Sequence, residues 1–200
     1  MRIIRIIIPM VIILAGCAKG GLTKQERAVI SGQGQVMRVL TVDNREDSLF
    51  LRGKSIDFSD RDLKSRAFRE LAGKMVSTVT DPSQDGVGIA GPQVGLARRI
   101  IAVQRFDKEG EPLEVYPNVR IESFSGDIVS GQEGCLSVPG ERGSVPRYSV
   151  VVVSYKDPMT LRTVRDTVEG FTAVIFQHET DHLDGILYTD RADSLWVDDR

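Results

Sequence analysis

The sequence predicts an α+β domain, on three observations. Several stretches of strand length are rich in β-branched residues, an apolar-faced helical stretch precedes them, and another follows. Helices and strands are therefore segregated along the chain and do not alternate as in an α/β fold.

From Ser59, SDRDLKSRAFRELAGKMVSTV places Leu63, Ala67, Phe68, Leu71, Met75 and Val79 at helical spacing. Ser59 is the expected N-cap, with Asp62 three residues on. The segment DPSQDGVGIAGPQVG (81–95) is rich in Gly and Pro and predicts a loop. RRIIAVQRF (98–106), YSVVVVSY (148–155) and TLRTVRDTVEG (160–170) predict strands, the second central because it is continuously apolar. After Gly170, FTAVIFQHETDHL predicts a helix that Gly185 stops.

Two hundred residues with 41% hydrophobic and 27% charged content suit one domain with a sizeable core. With 26 basic against 28 acidic residues the net charge is −2, so electrostatics give no reason to expect a nucleic-acid partner. The first seventeen residues, MRIIRIIIPMVIILAGC, are of another kind. Arg2 and Arg5 precede an apolar run over 6–14, and Ala15 and Gly16 lead into Cys17, the layout of an export signal. The run is shorter than the roughly 20 apolar residues needed to span a bilayer. Its ending resembles a bacterial lipobox, which implies a lipidated Cys17 and an anchor on the extracytoplasmic side of a membrane. A buried strand or a cytoplasmic extension is the alternative. The expected organisation is thus signal peptide 1–17, flexible polar tether 18–38 and folded domain 39–200.

The chemistry concentrates in QHETDHLDG (177–185), which holds both histidines of the chain. On a helix His178 and His182 project from one face, a turn apart, where two imidazoles can share a metal ion, with Glu179 beside them to handle a proton. A stable site needs a third protein ligand. Asp184, Asp190 and Asp193 lie downstream, and Cys135 sits upstream in the Gly-flanked loop GQEGCLSVPG. Spacing alone leaves that choice open.

Three segments in order resemble the peptide deformylase family: GVGIAGPQ (86–93), EGCLS (133–137) and QHETDHLDG (177–185). The similarity runs from about 39 to 192. It implies Cys135, His178 and His182 as metal ligands and Glu179 as general acid/base. It also implies Gln93 and the backbone N–H of Leu136 as donors to a developing oxyanion, and Gly88 as a backbone contact to substrate. The implied fold is a compact α+β domain with antiparallel sheets around the metal-bearing C-terminal helix. The implied metal is Fe2+, with Zn2+ as the other choice, and the implied partner is an N-formylmethionyl peptide acted on by a monomer. Thiolate and imidazole together suit both ions.

Two features depart from that pattern. Gly91 stands where the family has a second alanine, and loss of its methyl is expected to loosen Gln93. The export signal would part the protein from the ribosome, so an HExxH metallopeptidase and a non-catalytic lipoprotein binding peptide or metal are the other readings.

Overall fold

A computed structural model describes residues 21–84 and 86–198. The export signal lies outside the described residues. Two antiparallel sheets hold the strands. β1 (Gly88–Ala90), β2 (Ile100–Gln104) and β3 (Leu113–Pro117) form one, in the order β1-β2-β3. β4 (Arg120–Cys135), β5 (Val138–Lys156) and β6 (Thr163–Glu169) form the other, and β7 (Ser194–Val197) pairs with the first part of β5. The α+β expectation holds.

β2 explains how the layers join. Ile100 and Ala102 pack on one side with Phe68, Leu71, Met75 and Val79 of α4 (Arg66–Val79). Ile101 and Val103 point to the other side, into a core with Ala173, Ile175, Phe176 and Leu183 of α5 (Gly170–Leu183) and Val151, Val153 and Val168 of the second sheet. Because neighbouring side chains of a strand face opposite ways, an unbroken apolar run is what a strand covered on both faces requires. α5 is thus clamped between the two sheets.

The helix expected from Ser59 is two helices. Ser59 does cap α3 (Asp60–Leu63) in a capping box with Asp62, but Ser65 then caps α4 by accepting from Phe68 N at 3.1 Å. Each serine offers the backbone an oxygen in place of a continuing helical bond, so the chain restarts. Within 81–95 the structure places β1 and a 3-10 turn (Gly91–Val94), whose few residues are too short a signal for periodicity to register. α5 ends as expected: Gly185 has φ 76° and lies against the carbonyl of Arg52, a place a side chain cannot occupy.

The expected tether over 18–38 is corrected in its described part. Lys24–Ile30 is a helix, α1, opened by a capping box between Thr23 and Glu26, with Leu22 and Ile30 buried in the α4 core. Lys74, itself buried, donates its ammonium to the carbonyls of Ile30 (2.8 Å) and Gly32 (2.5 Å). Met37 N then donates to Thr78 Oγ1 and Leu40 N to Gln93 O, both at 2.8 Å. The segment reads as polar because, beside Leu22 and Ile30, its anchors are hydrogen bonds, the Arg38–Asp47 pair and one ion pair with the core, which composition does not reveal.

That ion pair joins Glu26 to Arg98, whose side chain is 1% exposed and also donates to the carbonyl of Asp57 at 3.0 Å. Burial pushes the Glu26 carboxyl up, but hydrogen bonds from Arg98 and Thr23 outweigh it and hold the group below the usual range. Glu26→Gln should therefore cost about 3 kcal/mol in urea unfolding at neutral pH by leaving a buried guanidinium without its anion. A carboxyl depressed in the folded state stabilises above its unfolded pKa and loses that effect as pH falls through its folded one. The gap between Glu26→Gln and the parent should accordingly close below about pH 4, and a gap that persists there would show the pair contributes little.

Candidate metal centre

The centre forms where the end of β4 meets the middle of α5. β4 and β5 turn back on each other through Leu136 and Ser137, with a register shift between Gly134 and Cys135. This shift ends the ladder and turns the Cys135 side chain toward the helix. Its Sγ lies 3.2 Å from His182 Nε2, and receives Ser137 N at 3.4 Å and Gln93 Nε2 at 3.6 Å. His178 and His182 sit a turn apart with ring centroids 5.1 Å from each other. One ligand atom from each of Cys135, His178 and His182 lies within 4.8 Å of the others.

Of the candidates for a third ligand, geometry brings in the cysteine and leaves the aspartates out. Asp184 pairs with Arg99 at 2.6 Å. Asp190 accepts from Leu187 N at 2.9 Å and pairs with Arg52. Asp193 holds the start of β7 by donating its backbone N–H to Ser144 O.

Around the cluster runs a buried polar chain that sequence reasoning missed. Glu133 accepts His178 Nδ1 at 2.8 Å, and Arg147 grips the same carboxylate through Nε (2.8 Å) and Nη2 (3.0 Å). Arg147 Nη1 continues to Asp181 at 2.6 Å, and Asp181 in turn takes both Nε and Nη2 of Arg191. Burial alone would raise the Glu133 pKa, but His178 and Arg147 bring it down to about 2. A carboxylate so firmly ionised fixes the Nδ1–H tautomer of His178 and leaves Nε2 as the ligand atom. Tyr188, also missed, stacks on His178 at 6.0 Å and 20°. The available signal was Glu133 itself, two residues before Cys135 and so on the same side of an extended strand.

The donor set fits a transition-metal ion. Burial opposes ionisation of the Cys135 thiol, yet the charges of His182 and His178 beside it bring its pKa well below the ordinary value, toward the thiolate that metals bind. A thiolate with two imidazoles is a set that zinc and ferrous iron both accept.

Glu179 stands one residue from His178 and is 4% exposed. Its Oε2 has no hydrogen-bond partner among the described residues, and burial raises its pKa to about 7 against the opposing pull of both histidines. A methyl built on Gly88 would stand 2.5 Å from Glu179 Oε1 and 2.8 Å from Ile175 Cγ2, so β1 passes the carboxylate with bare backbone. Gln93 is 1% exposed and fixed by Ala90 N, which donates to its Oε1 at 2.8 Å, so its Nε2 is aimed at the centre. Leu136 and Gly88 line the cleft that opens over the metal ligands, a space of about 320 Å³ with Phe171, Val174 and Ile175 as apolar wall.

The expected loosening at Gly91 is corrected. A methyl there would meet Arg98 O at 2.5 Å and Ile100 Cγ2 and Leu96 O at 3.0 Å. The backbone has closed over the position, and no gap is left beside Gln93.

The polypeptide deformylase family model matches residues 36–196. The peptide deformylase of Desulforudis audaxviator is 43% identical over 126 residues, which are 63% of this chain and 78% of that one. The peptide deformylase of Leptospira biflexa is 32% identical over 166 residues, 80% of this chain and 89% of its own. Among solved structures, a class I type b peptide deformylase from Acinetobacter baumannii bound to Met-Ala-Ser superposes with a TM-score of 0.68 at 36% identity, covering 78% of this chain and 98% of that one. Sequence and fold thus agree over the whole span that builds the centre, and the chain belongs to the polypeptide deformylase family.

Proposed function

We propose that this protein is a metal-dependent hydrolase that removes the N-formyl group from an N-terminal formylmethionine of peptides, releasing formate. The observation that carries this reading is the buried Cys135–His178–His182 cluster with the unpartnered carboxylate of Glu179 beside it. The metal, when bound by these three residues, supplies Lewis acidity toward water and the formyl carbonyl.

Glu179 takes a proton from the attacking water and passes it to the amine as the C–N bond breaks. Its position next to the ligands and its raised pKa suit a group that must both accept and give at neutral pH. Gln93 Nε2 and Leu136 N–H donate to the formyl oxygen as it gains charge, and Gln93 is already fixed for this by Ala90. Gly88 lets the backbone approach the reacting carbon, which in a formyl group carries only hydrogen, so a site this crowded admits formyl and turns away bulkier acyl groups. The apolar wall of Phe171, Val174 and Ile175 suits the methionine side chain.

Fe2+ is the metal this reading assigns, on the family resemblance; Zn2+ is the competing ion, since a thiolate with two imidazoles accepts both. The protein acts as a monomer held by a lipidated Cys17 on the extracytoplasmic side of a membrane. In support, the basic, apolar and small-residue stretches of 1–17 stand in signal order, and no helix of the described residues is long and apolar enough to cross a bilayer by itself.

Full-length protein purified anaerobically should contain one ferrous ion per chain by elemental analysis; stoichiometric zinc under the same conditions would exclude the iron assignment. Glu179→Ala should keep that metal and lose about 10²–10⁴ in formate release from formyl-Met-Ala; an undiminished rate would remove Glu179 from the reaction. Glu133→Gln keeps the shape but abolishes the carboxylate on His178, so metal affinity in a chelator competition should fall about 10–100-fold, whereas unchanged affinity would reduce Glu133 to a packing role.

A further inference from the structure

The correction at the N-terminus changes what an anchor at Cys17 would do. Residues 22–38 are tied to the core, so only residues 18–20 separate Cys17 from Gly21. At most about 3.5 Å per residue, that leash spans roughly 14 Å, less than the width of the domain. A lipid on Cys17 would therefore press one particular side of the domain against the bilayer.

Gly21 marks that side. Its carbonyl faces Arg98 Nη2 at 3.5 Å, and Arg98 Nη1 donates to Asp57 O at 3.0 Å. Asp57 pairs with Arg120 at 2.9 Å, and its neighbour Ile56, 46% exposed, accepts Arg99 N at 2.9 Å. Arg99 and Arg120 open a groove of about 690 Å³ with Arg147, Arg191, Phe124 and Tyr148. Phe124 in it is 51% exposed, Ile128, which pairs with Tyr148 across β4 and β5, is 57% exposed, and the rings of Phe124 and Tyr148 lie 5.3 Å apart. The groove carries four arginines, with Asp181 and Asp184 inside and Asp57 at its edge. Each arginine is met within the protein, Arg99 by Asp184, Arg120 by Asp57, and Arg147 and Arg191 by Asp181, so what this surface offers a bilayer is its exposed aromatic and aliphatic side chains.

Orientation agrees. The cleft over the metal ligands takes Phe171, Val174, Ile175, His178 and Glu179 from α5, and the groove takes Gln177, Thr180, Asp181 and Asp184. At about 100° per residue the centres of these two sets lie roughly 140° apart around the helix.

We infer that the face formed by Ile56, Arg120, Phe124, Ile128 and Tyr148 rests on the membrane surface, with the catalytic cleft turned away from it. This rests on the reading of Cys17 as a lipidated anchor. The occupant is the bilayer that holds the lipid of Cys17, which the short leash brings against this face.

The test uses the full chain, expressed with lipidation and reconstituted in phosphatidylglycerol–phosphatidylcholine vesicles whose acyl chains are brominated. The native Trp196 on β7, the sole tryptophan, belongs to the strand that leads into the cleft residue Asp198 and should keep its fluorescence. In a Trp196→Phe, Phe124→Trp variant the new indole should be quenched at least about twofold, as expected for a side chain seated at the headgroup boundary, with formate release unchanged. Equal quenching at both positions, quenching at 196 alone, or none at 124 would overturn the orientation, and a second copy covering the face would appear as unquenched 124 with self-association. Mass analysis of the N-terminal peptide separates the two failures: an acylated Cys17 with an unquenched 124 refutes the face alone, and an unacylated chain refutes the anchor and the face with it.

Discussion

The centre depends on one buried carboxylate. Glu133 sits at the end of β4, is held by Arg147 of β5, and receives His178 of α5. Three elements from different parts of the chain thus meet on two oxygens. An ionised group 6% exposed survives only if both partners stay in place, and each partner is in turn costly to bury alone. Arg147 is satisfied by Glu133 and Asp181 together, and Asp181 by Arg191, so the arrangement passes outward until it reaches a side chain that is 44% exposed. What the chain gains is a fixed ring orientation and tautomer for His178, the means by which the outer partner of a metal-binding imidazole supports its affinity.

The position of α5 makes that possible. Its apolar side chains are covered by both sheets, and the remaining two sides carry the histidines and the Asp181–Asp184 stretch. Few residues of the helix are left for solvent, which is why its sequence reads as apolar with polar groups that all have a use. Glu179 is the exception: its Oε2 lacks a partner among the described residues, an unmet capacity that suits the proton-carrying role proposed for it.

Legibility in the sequence followed the range of the signal. α5 was plain because apolar periodicity and Gly185 mark it locally, and β2 and the middle of β5 because their unbroken Ile and Val runs demand cover on two faces. β4 was not read, since ESFSGDIVSGQE is exposed along most of its length and two bulges break any alternation. α1 was hidden because seven polar-rich residues fold only against Arg98 and Lys74, many residues distant. At the centre, His178, Glu179 and His182 announce themselves by spacing, whereas Cys135 joined them only through a resemblance. Glu133 and Arg147 needed the coordinates, because a pairing across fourteen positions in a bulged hairpin has no fixed sequence offset.

Two of the three glycines of GVGIAGPQ, Gly88 and Gly91, show how similar residues answer different constraints. At Gly88 a side chain would strike the Glu179 carboxylate and Ile175, so the missing Cβ leaves room beside the group proposed to carry the proton. At Gly91 a side chain would strike the carbonyls of Arg98 and Leu96, so the missing Cβ is already filled by backbone from the next turn. Leu96 N donates to Gly91 O at 3.0 Å and Gly95 N to Pro92 O at 3.0 Å, which draws the 3-10 turn and the strand after it together. Gln93 lies inside that tightened turn and is bonded to Ala90 within it. An alanine methyl therefore finds no room at this position as the backbone stands, and Gln93 stays held through its bond from Ala90 N.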